Sequence, residues 1–174
     1  MASLATQLFS DPATNVFAIL DGASIPDLLD MLYQHYPEFV CLYRGELDPD
    51  IAEVAPYLVR LEQKTPVTDW LLTRGWGKHW GIFVTTKSDL TAVRQHFRRF
   101  LTVHSSDGTP MLFRYYDPRV LRVYLPTCNA QELATVFGPV ERFVSEGSTP
   151  EACLQFHLLN GALIQENLNL LQEV

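Results

Sequence analysis

The residues best placed to do chemistry crowd into one run, Met111 to Leu125, MLFRYYDPRVLRVYL. Arg114, Arg119 and Arg122 surround Asp117, and Pro118 follows it directly. An aspartate before a proline is the signature of a helix N-cap with proline at the first helical position. The carboxylate there accepts the first helical amides or pairs with a guanidinium. An anion or substrate site is the functional reading, and a structural strand-to-helix corner is the plainer one, which we take first. A second candidate is the loop Gly75 to Gly81, GWGKHWG, in which glycines alternate with Trp76 and Trp80. It matches neither phosphate-loop pattern, GxxxxGK[ST] or GxGxxG, and tryptophans beside glycines commonly plug a gap over a sheet edge.

Other reactive side chains form no constellation. His35, His79, His96, His104 and His157 never fall at HxxxH or HExxH spacing, so no metal is expected. Cys41, Cys128 and Cys153 are odd in number, far apart and set among apolar residues, where a thiol is inert filler. Asp48, Asp50 and Glu53 are explained by the first turn of a helix, where negative charge is favourable. No catalytic residue and no cofactor is implied.

The elements that must position these residues can be read along the chain. Its 174 residues are enough for one core, or one core with a smaller lobe. A hydrophobic fraction of 47% against 19% charged residues is rich in core formers and leaves surface to be covered. The net charge of −7 argues against a nucleic-acid partner or an anionic membrane. No signal segment or membrane span stands out and the cysteines suit a reducing compartment, so a cytoplasmic protein is expected.

Asn15 to Asp21, NVFAILD, predicts a strand covered on both faces, and Ser24 then opens a helix that Pro37 ends, giving a βα unit. Phe39 to Tyr43 and Pro56 to Leu61 predict further strands, with short helices opening at Asp48-Pro49 and Thr65-Pro66. Trp80 to Val84 is the next strand. Ser88 caps the clearest amphipathic helix, with Leu90, Val93, Phe97, Phe100 and Leu101 on one side and Arg94, Arg98 and Arg99 off it. That basic stripe is either a solvated face or a dock for an acidic partner. Met111 to Tyr116 predicts a largely buried strand, Pro118 to Leu125 and Ala130 to Phe137 predict helices, and Val140 to Val144 is a weak strand.

Ser145 to Pro150, SEGSTP, has linker-like composition, which divides the chain into an α/β domain over 1–144, a turn over 145–150 and a helical appendage over 151–174. Leu163, Ile164, Leu168, Leu170 and Leu171 nearly encircle that last helix, which therefore needs its own domain or a partner to cover it. The expected fold is α/β: a mixed central sheet of about five or six strands flanked by helices, with a helical C-terminal tail.

Five segments in this order carry a resemblance: FAILDGA at Phe17 to Ala23, LYRGEL at Leu42 to Leu47, APYLVRLE at Ala55 to Glu62, GWGKHWGIFV at Gly75 to Val84 and FRYYDPRVL at Phe113 to Leu121. Over roughly Phe17 to Val144 the chain resembles the effector chaperones, or adaptors, of bacterial type VI secretion, long catalogued as a domain of unknown function. The resemblance implies a cytoplasmic, non-catalytic protein that binds one cognate toxin effector, keeps it soluble and helps load it onto the VgrG spike or its PAAR tip. It offers no catalytic residues. It assigns the corner of Arg114, Asp117, Pro118 and Arg119 to the fold, with Arg114 and Asp117 as a local pair. Many relatives continue into a longer C-terminal lobe, whereas this sequence ends at Val174, so the final helix is expected to serve in its place. The partner-binding residues expected are Arg94, Arg98, Arg99, Leu163, Ile164, Leu168 and Leu171. The alternative is a small-molecule enzyme or sensor with an anion pocket near Arg114 and the Trp76 to Trp80 loop.

Overall fold

A strand apolar on both faces forces cover on both sides, and the chain is built around one. In the computed structural model, which describes residues 3–170, β1 (Asn15–Asp21) is buried from Val16 to Asp21. Phe17 and Ile19 face one core and Val16, Ala18 and Leu20 the other. Strands β3 (Pro56–Leu61) and β4 (Gly81–Thr86) flank it antiparallel, placing Ala18 opposite both Val59 and Phe83. With β2 (Phe39–Cys41), β7 (Arg142–Glu146), β8 (Ala152–Leu159) and β9 (Ala162–Asn169), they form a seven-stranded sheet in the order β2-β3-β1-β4-β7-β8-β9. At Gly81 any larger side chain would run into the Ile19 carbonyl, so glycine is what lets β4 approach β1 there.

Helices cover both faces. Those contributing to the Phe17 face are α5 (Leu90–Arg98), through Val93 and Phe97; α6 (Pro118–Tyr124), through Leu121; and α7 (Ala130–Phe137), through Leu133, Val136 and Phe137. The opposite face takes Leu4 and Leu8 of α1 (Leu4–Leu8), Leu28 and Leu32 of α2 (Leu28–His35) and Val67 of α4 (Pro66–Trp70). Helix α3 (Pro49–Val54) starts at its proline, and α7 carries a full capping box between Asn129 and Glu132, as local chemistry requires.

Three expectations need correction. The sheet has seven strands rather than five or six, and every described pairing is antiparallel, so it is not mixed. Strand-helix alternation is silent on direction, because short helices with turns at both ends can return the chain to either end of a sheet. Second, the described part of the expected helical tail is the β8–β9 hairpin. Its turn, Asn160-Gly161, has φ of 52° and 78°, the left-handed pair that a two-residue hairpin demands. The Asn-Gly signal outranks the helical spacing of the leucines that follow it.

Third, the run at Met111 is not a buried strand. Only Pro110–Leu112 (β6) is extended, pairing with β5 (Thr102–His104) in a ribbon outside the main sheet, with Met111 47% and Leu112 53% exposed. Burial starts at Tyr115, whose ring stacks on Phe97 with centroids 5.4 Å apart. The linker-like segment joins neighbouring strands: Gly147 N–H donates to the Ala152 carbonyl (2.8 Å) and Ala152 N–H to that of Thr149 (3.0 Å).

The C-terminal hairpin shares the core, since Phe156 is fully buried on the Phe17 face. Phe156→Ala is expected to cost about 3–5 kcal/mol in urea unfolding. A loss below about 0.5 kcal/mol, the scale of surface substitutions, would mean that the hairpin is dispensable to the fold.

Candidate functional site

The glycine-tryptophan loop does cradle an anion, and the anion is the chain's own. Glu146, at the end of β7 and 4% exposed, accepts hydrogen bonds from the backbone N–H of Gly77 (2.9 Å) and of His79 (3.1 Å). Gly77 and His79 take left-handed φ of 86° and 59°, which turns both amides inward. His79 Nδ1 lies 2.7 Å from Glu146 Oε2 but is not aligned as a hydrogen bond, so this is an ionic contact when the ring is protonated. Trp76 Nε1–H donates to the Pro150 carbonyl (2.7 Å), and Trp80 packs on Trp70 at 4.8 Å between centroids. The space beneath the loop is about 10 Å³, too little for more than a single water. The donors of a phosphate cradle are therefore already spent.

At the corner, Arg114 and Asp117 form no side-chain ion pair. Arg114 reaches back to Asp21 at the end of β1, where the carboxylate also accepts from Ser24 Oγ (2.7 Å) and Ala23 N–H (3.2 Å). Asp117 caps α6 on the Arg119 N–H (2.9 Å) and takes the Arg119 guanidinium as its counterion (2.7 and 3.0 Å). An N-cap aspartate points into its own first turn, which leaves the arginine three residues earlier free for a tertiary partner. Burial pushes Asp117 up, but the Arg119 hydrogen bonds and charge outweigh it and hold the carboxyl below its ordinary value. Burial, then the Tyr43 and Asp21 charges, push the Tyr116 phenol well up, so it stays protonated.

The arginines of α5 do three different things. Arg98 Nε and Nη2 donate to the carbonyls of Leu42 (3.0 Å), Cys41 (2.9 Å) and Tyr43 (2.9 Å). Arg60 N–H donates to Glu38 and Leu42 N–H to Pro56, so alternate residues of β2 face β3 and the carbonyls of Cys41 and Tyr43 face the open edge. Arg98 thus caps the edge of the sheet. Burial, then the charges of Arg94 and Arg44, hold its guanidinium below the ordinary value. Arg99 donates to Nδ1 of His96 (3.0 Å), whose Nε2–H in turn donates to the Val136 carbonyl (2.8 Å), which assigns a neutral ring. Arg94 makes no hydrogen bond or ion pair among the described residues, and its Nε is screened from solvent. Arg44, which the sequence did not single out, joins this group because β2 ends beside Arg98.

Of the tail residues, Leu163 packs on the Phe17 face and Leu168 on the opposite one, Ile164 is half-buried, and Leu171 lies outside the described residues. Since Leu170 N–H donates to Glu151, the backbones of Leu163, Gln165, Asn167 and Asn169 face away from β8 along the second sheet edge. Among the described residues no three His, Cys, Asp or Glu side chains gather as a metal site, and no helix is long and apolar enough to cross a membrane.

Residues 16–135 match the family model described as Domain of unknown function (DUF4123). Among curated proteins, the accessory protein VasW of Vibrio cholerae serotype O1 is 28% identical over 127 residues, which is 72% of this chain and 42% of VasW. The chain thus spans less than half the length of that relative. No solved structure matches it.

Removing Arg114 would strand the buried Asp21 carboxylate on two neutral donors. Arg114→Ala is expected to destabilise the fold by about 1–3 kcal/mol, read by urea unfolding; a neutral result would show that Asp21 does not need the pair. His96 sets a pH dependence. Burial, opposed by the Val136 hydrogen bond and reinforced by the Arg99 charge, lowers its pKa below the ordinary 6.5. The unfolded chain then takes up a proton first, so this contribution is complete above pH about 6.5 and is lost as pH falls towards the folded value. The melting temperature should be lower at pH 5.5 than at pH 7.5, and His96→Gln should lose part of that slope.

Proposed function

This chain belongs to the DUF4123 family, and on that premise we propose that it is a non-catalytic adaptor of bacterial type VI secretion. It binds one cognate toxin effector in the cytoplasm, keeps it soluble and helps load it onto the VgrG spike or its PAAR tip. The observation that carries this reading is the extent of the family match, residues 16–135, nearly the whole stretch over which the five ordered segments resemble the effector chaperones. A relative named as an accessory protein agrees with it.

The state of the reactive groups supports a binding role. Glu146 occupies the loop amides, Asp21 holds Arg114, and Asp117 holds Arg119. Each group that the small-molecule reading needs as a ligand for an external anion already has an internal one, so that reading finds less support.

The test is to express the tagged chain with its neighbouring genes, capture it, identify what accompanies it by mass and size the complex. A stoichiometric complex with a toxin or a spike component is expected. A monodisperse chain with no stoichiometric partner, whose melting temperature rises instead with a small anion, would overturn the adaptor reading.

A further inference from the structure

Arg94 and Arg98 sit four residues apart on α5 and so project from the same side of the helix. Arg98 is fixed against the end of β2 by its three carbonyl contacts, the last of them to Tyr43. Arg44 is the next residue, and its charge is felt at the Arg98 guanidinium together with that of Arg94. Three arginines thus lie where α5 meets the end of β2, in a chain whose net charge is −7.

None of the three has a carboxylate within ion-pair distance among the described residues, whereas Arg60, Arg114 and Arg119 each have one. Arg94 carries the sharpest form of this imbalance. Its Nε is screened from solvent and has no hydrogen-bond partner, a state that costs desolvation with nothing to offset it. Like charges held together in this way repel, and a carboxylate is the group that both relieves the repulsion and satisfies guanidinium donors in pairs.

We propose that Arg44, Arg94 and Arg98 form the docking point for an acidic segment of the protein that this chain captures. The inference deepens the adaptor reading and rests on it for the identity of the captured protein. A protein carboxylate is favoured over a nucleic-acid phosphate because the acidic remainder of the surface repels a long polyanion that must lie along it, while a short acidic segment needs only this corner. It is favoured over a small free anion because the cavities of about 610 Å³ beside Trp76 and about 200 Å³ beside His35 are lined by none of the three arginines.

The probe is a fluorescein-labelled octaglutamate peptide, titrated with the full chain and followed by anisotropy at 25 and 200 mM NaCl. Binding is expected to weaken with salt, and Arg44→Glu or Arg94→Glu should each weaken it about tenfold, the scale of losing one charge-assisted contact. Arg74→Glu makes the same change in net charge at an exposed position elsewhere and should shift binding less than about twofold. Arg44 lies on an exposed turn, so its variant keeps the test valid if Arg94→Glu folds poorly. No binding by the native chain, an equal loss in Arg74→Glu, or tighter binding of a labelled twenty-residue oligothymidine would each overturn the proposal. Once a cognate effector is in hand, Arg94→Glu should release it while Arg74→Glu retains it; retention in both would overturn the site while leaving the adaptor reading standing. Absence of any cognate effector would instead count against the adaptor reading, with the peptide result judging the site on its own.

Discussion

The structure depends on a strand that has no side to offer to water. From Val16 to Leu20, β1 alternates side chains between two cores, and every one of them is buried. A sheet with such a centre must carry helices on both faces, so the short helices between strands are spent as cover. The antiparallel pairing follows the same demand by a different route from a parallel α/β sheet. Neighbours β3 and β4 run against β1, and the close approach at Gly81 locks the pair without a bulky side chain between them.

Cover on both faces has an electrostatic consequence. Three carboxylates, Asp21, Asp117 and Glu146, end up nearly sealed from solvent, and a buried carboxylate without donors would not stay charged. Each is met differently: Asp21 by a distant arginine and a serine, Asp117 by its own helix and the arginine two residues on, and Glu146 by two backbone amides of a loop some seventy residues earlier in the chain. These contacts tie the corner and the loop to the sheet. They also explain why the most chemically suggestive residues of the chain are poor candidates for chemistry on anything else.

The edges of the sheet are treated unequally. At β2, Arg98 takes the outward carbonyls of Cys41 and Tyr43, which blocks strand addition there and gathers positive charge. At β9 the outward amides and carbonyls of Leu163, Gln165, Asn167 and Asn169 meet no neighbouring strand among the described residues. Among the described residues the sheet is thus left with one edge closed by a charge and one edge that no strand covers. Arg98 is held at the closed edge by a backbone need of the fold itself.

What the sequence determined by itself was local. Asn15 to Asp21 announces a buried strand by its unbroken apolar run, Pro56 to Leu61 announces a strand opened by a proline, and Asp48-Pro49, Asp117-Pro118 and Asn129 announce helix starts by local chemistry that needs no other part of the chain. Five ordered segments were enough to point to the family. Tertiary structure decided the rest, because it depends on contacts that no spacing encodes. Arg114 beside Asp117 in sequence reads as a pair, yet it is 93 residues that separate it from its partner Asp21. The leucines of the tail fit a helix or a strand until the hairpin turn and the waiting edge of β8 choose the strand. Glu146 has no motif, and only the folded sheet brings it under the loop of Gly77 and His79, where burial makes donors obligatory and the loop's amides supply them.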